Sequence, residues 1–297
     1  MAYTTLISAE ELEALTQRQS AQPLVIFDCS FDLSQPAAGE AQYLASHIPG
    51  AIYASLDTAL SSHSAEKSSG GRHPLPTQAA FAAWLTSVGM THDAQAVVYD
   101  RNGANYCGRL WWMLNWVGHS AVAVLDGGLR AWTAMGAPIA VGSEMPAPSS
   151  GVDGLEPPAS AFAIRRSPYR LVAAEQVLQA LGRPGQTVMD ARGAPRFRGE
   201  LEPLDPVAGH IPGALNRPFS ANLGADGKFK KPADLRAEFN ALLAGKDPTS
   251  VVHQCGSGVS ALPNLLAMAL AGFGATALYA GSWSDWCSHP DYPMATG

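Results

Sequence analysis

Val251-Val252-His253-Gln254-Cys255-Gly256-Ser257-Gly258-Val259-Ser260-Ala261 is the stretch on which the reading of this chain turns. Its apolar start reads as a buried strand. A tight loop headed by Cys255 follows, and then a helix, predicted over Ala261 to Ala271 from its run of Leu, Ala and Met. A cysteine at such a junction faces successive backbone N–H groups and the positive end of a helix dipole. Both favour the thiolate over the thiol, and any anion that the thiolate binds or becomes. Gly256 and Gly258 let the backbone close around the sulfur without a Cβ in the way. A cysteine that follows two valines is ordinarily a buried, inert thiol. Here Gly256, Ser257 and Gly258 offer no bulky side chain to cover it, so the stretch predicts a nucleophile.

Working outward, the chain repeats itself. His47-Ile48-Pro49-Gly50-Ala51 returns as His210-Ile211-Pro212-Gly213-Ala214. Leu24–Asp28 matches Thr187–Asp190, each an apolar run closed by aspartate, and Ala96–Asp100 matches Val251–Cys255. Asp126-Gly127-Gly128-Leu129-Arg130-Ala131-Trp132 matches Ala280-Gly281-Ser282-Trp283-Ser284-Asp285-Trp286. The pairs keep their order, at separations from 163 residues (His47 to His210) to 154 (Asp126 to Ala280). Ordered repetition of this kind means two copies of one unit. Asp100 stands where Cys255 stands, so the second copy carries the nucleophile and the first is expected to shape the cleft. The expected organisation is a non-catalytic domain over 1–141, a linker over 142–166, rich in Pro, Gly and Ser, and a catalytic domain over 167–297.

Within each copy short apolar strands alternate with helices. Strands are expected at Leu24–Asp28, Ala96–Asp100, Ala121–Leu125, Thr187–Asp190, Ser250–Gln254 and Thr276–Tyr279. Helices are expected at Ser8–Thr16, where Ser8 and Glu11 make a capping box, at Thr77–Val88 and at Arg109–Val117. The fold class is α/β, each copy a parallel sheet flanked by helices. Ligands of such sheets bind beyond the carboxyl ends of the strands, where Cys255 lies.

Bulk properties narrow the partners. The chain has 297 residues, a net charge of −6 and no basic run that would track a phosphate backbone, so nucleic acid is not expected. No stretch is apolar for long enough to span a bilayer, and Met1-Ala2-Tyr3-Thr4-Thr5 lacks the charged start of a secretory signal. Cys29, Cys107, Cys255 and Cys287 are scattered without a C-x-x-C pair, and the eight histidines show no metal-ligand spacing. The expectation is a reducing cytoplasm with no disulfide framework, no metal and no cofactor. Cys107 and Cys287 read as structural; a redox-sensing role would need exposure and a low pKa.

Taken together, these residues resemble the tandem-domain rhodanese family of sulfurtransferases, over nearly the whole chain from about Leu6 to Tyr292. The resemblance rests on the Cys255–Ala261 loop, the two His-Ile-Pro-Gly-Ala segments, Leu125-Asp126-Gly127-Gly128 and Gly281-Ser282-Trp283. It implies two rhodanese-like domains with the catalytic cysteine in the second. In the branch that uses 3-mercaptopyruvate the loop reads Cys-Gly-Ser-Gly-Val-Thr. Here it is Cys255-Gly256-Ser257-Gly258-Val259-Ser260, and no basic residue follows the cysteine as in animal thiosulfate enzymes. The resemblance implies that Gly256, Gly258, Val259 and Ser260 line the substrate, that Arg196 grips its carboxylate, and that Ser257, His73 and Asp57 form a Ser/His/Asp set across the cleft between the halves. The second carboxylate-binding arginine often found after Glu-Pro is missing: Glu202-Pro203 leads into Leu204-Asp205-Pro206. Arg192 could substitute, but it is expected to pair with a structural carboxylate.

The implied reaction takes sulfur from a small-molecule donor onto Cys255 as a persulfide and passes it to a thiol, cyanide or thioredoxin-like acceptor. Thiosulfate as donor and a non-turnover sulfur carrier stay as alternatives. A cysteine phosphatase would need an arginine six residues after the cysteine; that position is Ala261.

Overall fold

The computed structural model of the protein describes residues 2–18, 22–144 and 161–297. Much of the expected linker, residues 145–160, lies outside the described residues. The chain forms two compact units, one of residues 1–60 and 76–167, the other of residues 61–75 and 168–297. Ser61–Leu75 thus leaves the first half of the sequence and packs with the second unit, where contiguous domains over 1–141 and 167–297 would not place it.

The first unit runs β1 (Leu6–Ile7), α1 (Ala9–Thr16), β2 (Leu24–Asp28), α2 (Ala37–Ala45), β3 (Ala51–Tyr53), α3 (Gln78–Ser87), β4 (Gln95–Tyr99), α4 (Cys107–Trp116), β5 (Val122–Leu125) and α5 (Gly128–Ala134). Its strands form one parallel sheet in the order β1-β5-β4-β2-β3. Ser8 caps α1 by accepting from the Glu11 amide while Glu11 reaches back to the Ser8 amide, the capping box that the sequence predicts. One face of the sheet packs Ile26, Val97, Ala123 and Leu125 against Leu12 of α1 and Leu129 and Trp132 of α5. On the other, the Phe27 ring lies 5.7 Å from that of Trp84 on α3, tilted by 39°.

The second unit repeats the plan: β6 (Arg170–Leu171), α6 (Ala174–Gln179), β7 (Thr187–Asp190), α7 (Ala194–Phe197), β8 (Leu215–Asn216), α8 (Pro232–Leu243), β9 (Val251–Gln254), α9 (Leu262–Leu270), β10 (Ala277–Leu278) and α10 (Ser282–Trp286). Its parallel sheet has the order β6-β10-β9-β7-β8, the same permutation as the first. Alternation along the strands splits the core between the two faces. Val188 and Val252 pack with Val177, Trp283 and Trp286 of α6 and α10. Met189 and Val251 pack with Leu235, Phe239, Ala267 and Met268 of α8 and α9.

Local devices recur as well. His47 bridges Ala140 and stacks on Tyr43, while His210 bridges Ala295 and stacks on Phe197. The indole N–H of Trp132 donates to the Pro138 carbonyl, and that of Trp286 to the Pro293 carbonyl. Asp28 is paired with Arg101 and Asp190 with Arg192. The central strands, β4 and β9, are followed directly by Asp100 and Cys255 respectively, which puts the two residues at one equivalent place in each sheet.

Candidate active site

Cys255 follows the last residue of β9 and is 2 % exposed. Its backbone is fixed from the side of α10. The Cys255 amide donates to Ser282 Oγ at 3.0 Å, the Cys255 carbonyl accepts from the Trp283 amide at 3.0 Å, and the Gly256 carbonyl accepts from the Ser284 amide at 2.9 Å. Ser282 holds a left-handed φ of +58°, matched in the first unit by Gly128, also at +58°. A non-glycine residue there costs on the order of 1 kcal/mol, and its hydroxyl is what the Cys255 amide uses. Gly258, at φ +72°, leaves room that a side chain would not have: a Cβ would lie 2.2 Å from the Ala280 carbonyl oxygen.

The first unit displays what this loop does with an anion. The Asp100 carboxylate, at the cysteine's equivalent place, accepts four loop amides: Asn102 and Ala104 on Oδ1 at 2.9 and 3.1 Å, Tyr106 and Cys107 on Oδ2 at 2.8 and 3.0 Å. In the second unit the loop carries no internal carboxylate. Among the described residues the amides of Gly256, Ser257, Val259, Ser260 and Ala261 donate to no acceptor. The α9 N-terminus behind them has no side-chain cap. Counted from Cys255, the equivalents of the four Asp100 donors are Ser257, Val259, Ala261 and Leu262; the first three amides donate to no acceptor, and the Leu262 amide donates to the Val259 carbonyl at 3.1 Å.

Two guanidiniums stand over the loop. A Cβ at Gly256 would lie 3.3 Å from Arg72 Nη2 and 3.4 and 3.5 Å from Arg196 Nη1 and Nη2. Arg196, on α7, is braced by Glu202, which accepts Nε at 3.1 Å and Nη2 at 2.6 Å. Asp205 joins the pair, accepting Arg72 Nη1 at 2.7 Å and Arg196 Nη2 at 3.2 Å. Arg72 Nε has no hydrogen-bond partner among the described residues. Arg72 is the residue that sequence reasoning missed. It supplies the second guanidinium that the segment after Glu202-Pro203 lacks, and its only signal was adjacency to His73. Arg192 is spent as the sequence predicts: it pairs with Asp190 at 2.6 Å, donates to the Gly209 carbonyl at 2.7 Å and lies 4.8 Å from the centroid of the Trp283 ring.

His73 Nδ1 and Ser257 Oγ are 2.7 Å apart, both buried. Because residues 61–75 pack with the second unit, His73 reaches Ser257 within that unit and not across a cleft between domains. The structure therefore brings Cys255, Gly256, Ser257, Gly258, Val259, Ser260, Arg196 and His73 to one place. Asp57 belongs to the first unit, half-buried in the loop after β3.

The remaining thiols are placed away from such chemistry. Burial, and then the Asp28 and Asp100 carboxylates, pushes the Cys29 thiol well above its ordinary range. Burial and Asp100 do the same to Cys107. Cys287 is raised by burial and by Asp205. His253 is fully buried on β9 and is pushed down to about 3 by burial, so it is neutral at physiological pH.

Comparison with known proteins agrees with this architecture. The Rhodanese-like domain family matches the chain twice, over residues 8–135 and 173–289. A Pseudomonas aeruginosa protein named "Probable 3-mercaptopyruvate sulfurtransferase" is 44 % identical over the full length of both chains. The thiosulfate sulfurtransferase of Bos taurus is 33 % identical, covering 96 % of this chain and 92 % of its own. The solved structure of the 3-mercaptopyruvate sulfurtransferase from Leishmania major has a TM-score of 0.77 at 30 % identity, over 96 % of this chain and 74 % of that one. With two matched domains and relatives of this similarity along its length, the chain belongs to the tandem rhodanese-like family of sulfurtransferases.

Proposed function

We propose that the protein transfers sulfur from 3-mercaptopyruvate, through a persulfide on Cys255, to a thiophilic acceptor. One observation carries the choice of donor: the guanidiniums of Arg72 and Arg196 flank Gly256, next to the nucleophile. A planar guanidinium grips a carboxylate through parallel hydrogen bonds. A donor whose carboxylate sits between the two would have its sulfur delivered to Cys255.

The Cys255 thiolate attacks the donor sulfur, forming the S–S bond as the C–S bond breaks. The electron pair of that bond goes to the departing carbon, which is the enolate of pyruvate. The proton first carried by the donor thiol ends on the pyruvate methyl group, leaving Cys255 as a persulfide anion. His73 and Ser257, in hydrogen-bond contact, are the groups that move that proton. The loop amides hold both the thiolate and the persulfide anion, a role that the four amides on Asp100 support by analogy. The acceptor then attacks the outer sulfur and returns Cys255 to thiolate. Cyanide, a small thiol and a thioredoxin-like dithiol are the acceptor classes of this proposal. A cytoplasmic setting belongs to it too, supported by four free thiols, which a reducing compartment preserves.

Thiosulfate is the second reading, since its sulfonate also suits paired guanidiniums and the bovine relative is named for it. Sulfite departs from thiosulfate without protonation at carbon, so the His73–Ser257 contact favours mercaptopyruvate. The test is kcat/KM for the two donors, with mass spectrometry of Cys255 after each. Mercaptopyruvate is expected to be preferred at least tenfold, with one sulfur atom gained on Cys255. Failure to gain that sulfur rejects the mechanism, and a single turnover of pyruvate would mark a carrier and not an enzyme.

A further inference from the structure

The two residues that this reading takes from the first half of the sequence, Arg72 and His73, must be held in register with a loop almost two hundred residues further on. They lie on the segment that packs into the second unit. Its path against α10 is tight. Gly71 has φ +83°, and a Cβ there would lie 2.3 Å from the Gly281 carbonyl oxygen and 2.9 Å from Ser284 Oγ. Ser284 then makes two connections at once. Its hydroxyl accepts the Arg72 amide at 3.0 Å, and its own amide donates to the Gly256 carbonyl at 2.9 Å. The hydroxyl proton goes to the Gly281 carbonyl at 3.3 Å, so the oxygen is oriented to accept. One residue thus joins the backbone that carries a carboxylate-binding guanidinium to the backbone that carries the nucleophile.

We propose that Ser284 is a positioning residue: its hydroxyl sets the height of Arg72 over Gly256 and so the grip on the donor's carboxylate. The proposal rests on the reading of Arg72 and Arg196 as that grip. Without the hydroxyl the Arg72 amide loses its acceptor, and the guanidinium keeps only its distal tie to Asp205. The amide bond from Ser284 to Gly256 is backbone and survives substitution, so the nucleophile's own loop is left in place.

The experiment alkylates Cys255 in the full-length protein with two reagents of the same chemistry, iodoacetate, which has a carboxylate, and iodoacetamide, which is neutral. Peptide mass spectrometry reads the rate at Cys255 alone. Ser284→Ala is expected to lower the iodoacetate-to-iodoacetamide rate ratio by about tenfold and to raise KM for mercaptopyruvate by a similar factor, with the iodoacetamide rate near wild type. Ser284→Thr and Ser284→Val, which match in shape and differ in the hydroxyl, should separate in the same direction, and they decide the matter if the alanine variant does not fold. An unchanged ratio in Ser284→Ala, or an equal fall with both reagents, overturns the proposal. Arg72→Ala and Arg196→Ala, measured alongside, tell the two failures apart. If they lower the ratio and the Ser284 variants do not, only the Ser284 proposal is lost. If they leave it unchanged, the carboxylate grip is wrong and the Ser284 proposal goes with it.

Discussion

Arg72 and Arg196 point at the same glycine but are anchored differently. Arg196 has Glu202 on two of its nitrogens, whereas Arg72 shares Asp205 with it. A hydrogen bond to a charged group contributes about 1.5–3 kcal/mol, so removal of either guanidinium is expected to lower kcat/KM for mercaptopyruvate about ten- to a hundredfold, mostly through KM. Steady-state kinetics of Arg72→Ala, Arg196→Ala and Arg72→Lys check this. Lysine restores the charge without the fork and should recover little. Glu202 shows the same bracing from the acid's side. Burial alone would raise its pKa, but the hydrogen bond from Arg196, with amides from Leu204 and Asp205, outweighs burial and leaves it lowered. A carboxyl lowered in the folded state stabilises the fold above its unfolded pKa, near ~4.3, and loses that contribution as pH falls through the folded value. Urea midpoints taken from about pH 6 down to about pH 3 should therefore fall more steeply for the wild type than for Glu202→Gln. Parallel curves would remove Glu202 from the acid response.

At the scale of elements, each sheet's central strand leads into a loop of the same length, headed by Asp100 in the first unit and by Cys255 in the second. Asp100 saturates four amides in the first unit. Asp100→Ala leaves those donors buried without an acceptor. An orphaned buried donor costs about 1–3 kcal/mol, so the first unit should lose about 3 kcal/mol or more, read as a lower denaturation midpoint. An unshifted midpoint would mean that water replaces the carboxylate at no cost. Thiol reactivity separates the two loops as well. Cys29 and Cys107, pushed up by burial and by Asp28 and Asp100, should resist iodoacetamide at neutral pH in the folded protein, while Cys255 reacts. Native labelling followed by peptide mapping tests it. Modification of Cys107 at the rate of Cys255 would contradict its placement. These loops were legible in advance because the apolar runs Ala96–Asp100 and Val251–Cys255 end abruptly in Gly, Ser and Asn. The two-residue edge strands β1, β6 and β8 were less so, since their pairing comes from the neighbouring strand and not from their own pattern.

For the whole molecule, the segment 61–75 matters most. Without it the second unit holds Cys255, Ser257 and Arg196 but neither Arg72 nor His73. Gly71 is its most constrained backbone position, at a left-handed φ where a Cβ would also meet the Gly281 carbonyl oxygen. Gly71→Ala is expected to displace the segment and cut kcat/KM for mercaptopyruvate by at least about tenfold, with the far-UV circular dichroism of the folded chain retained. Wild-type kinetics in that variant would show that the segment has slack the structure does not suggest.

Sequence alone determined the duplicated α/β plan, the cysteine-headed loop after the central strand of the second copy, and the asymmetry between Asp100 and Cys255. Those properties are local: they follow from apolar periodicity, glycine placement and a repeat kept in order. That Arg192 is a structural partner of Asp190 was local too, two residues apart on one turn. Only the tertiary structure decided that Arg72 lies beside Arg196 over Gly256, and that His73 meets Ser257 inside the second unit. The physical reason is sequence distance. A side chain brought in by a crossing segment leaves no trace in the spacing of its neighbours, and its role exists only once packing against α10 has fixed where it ends.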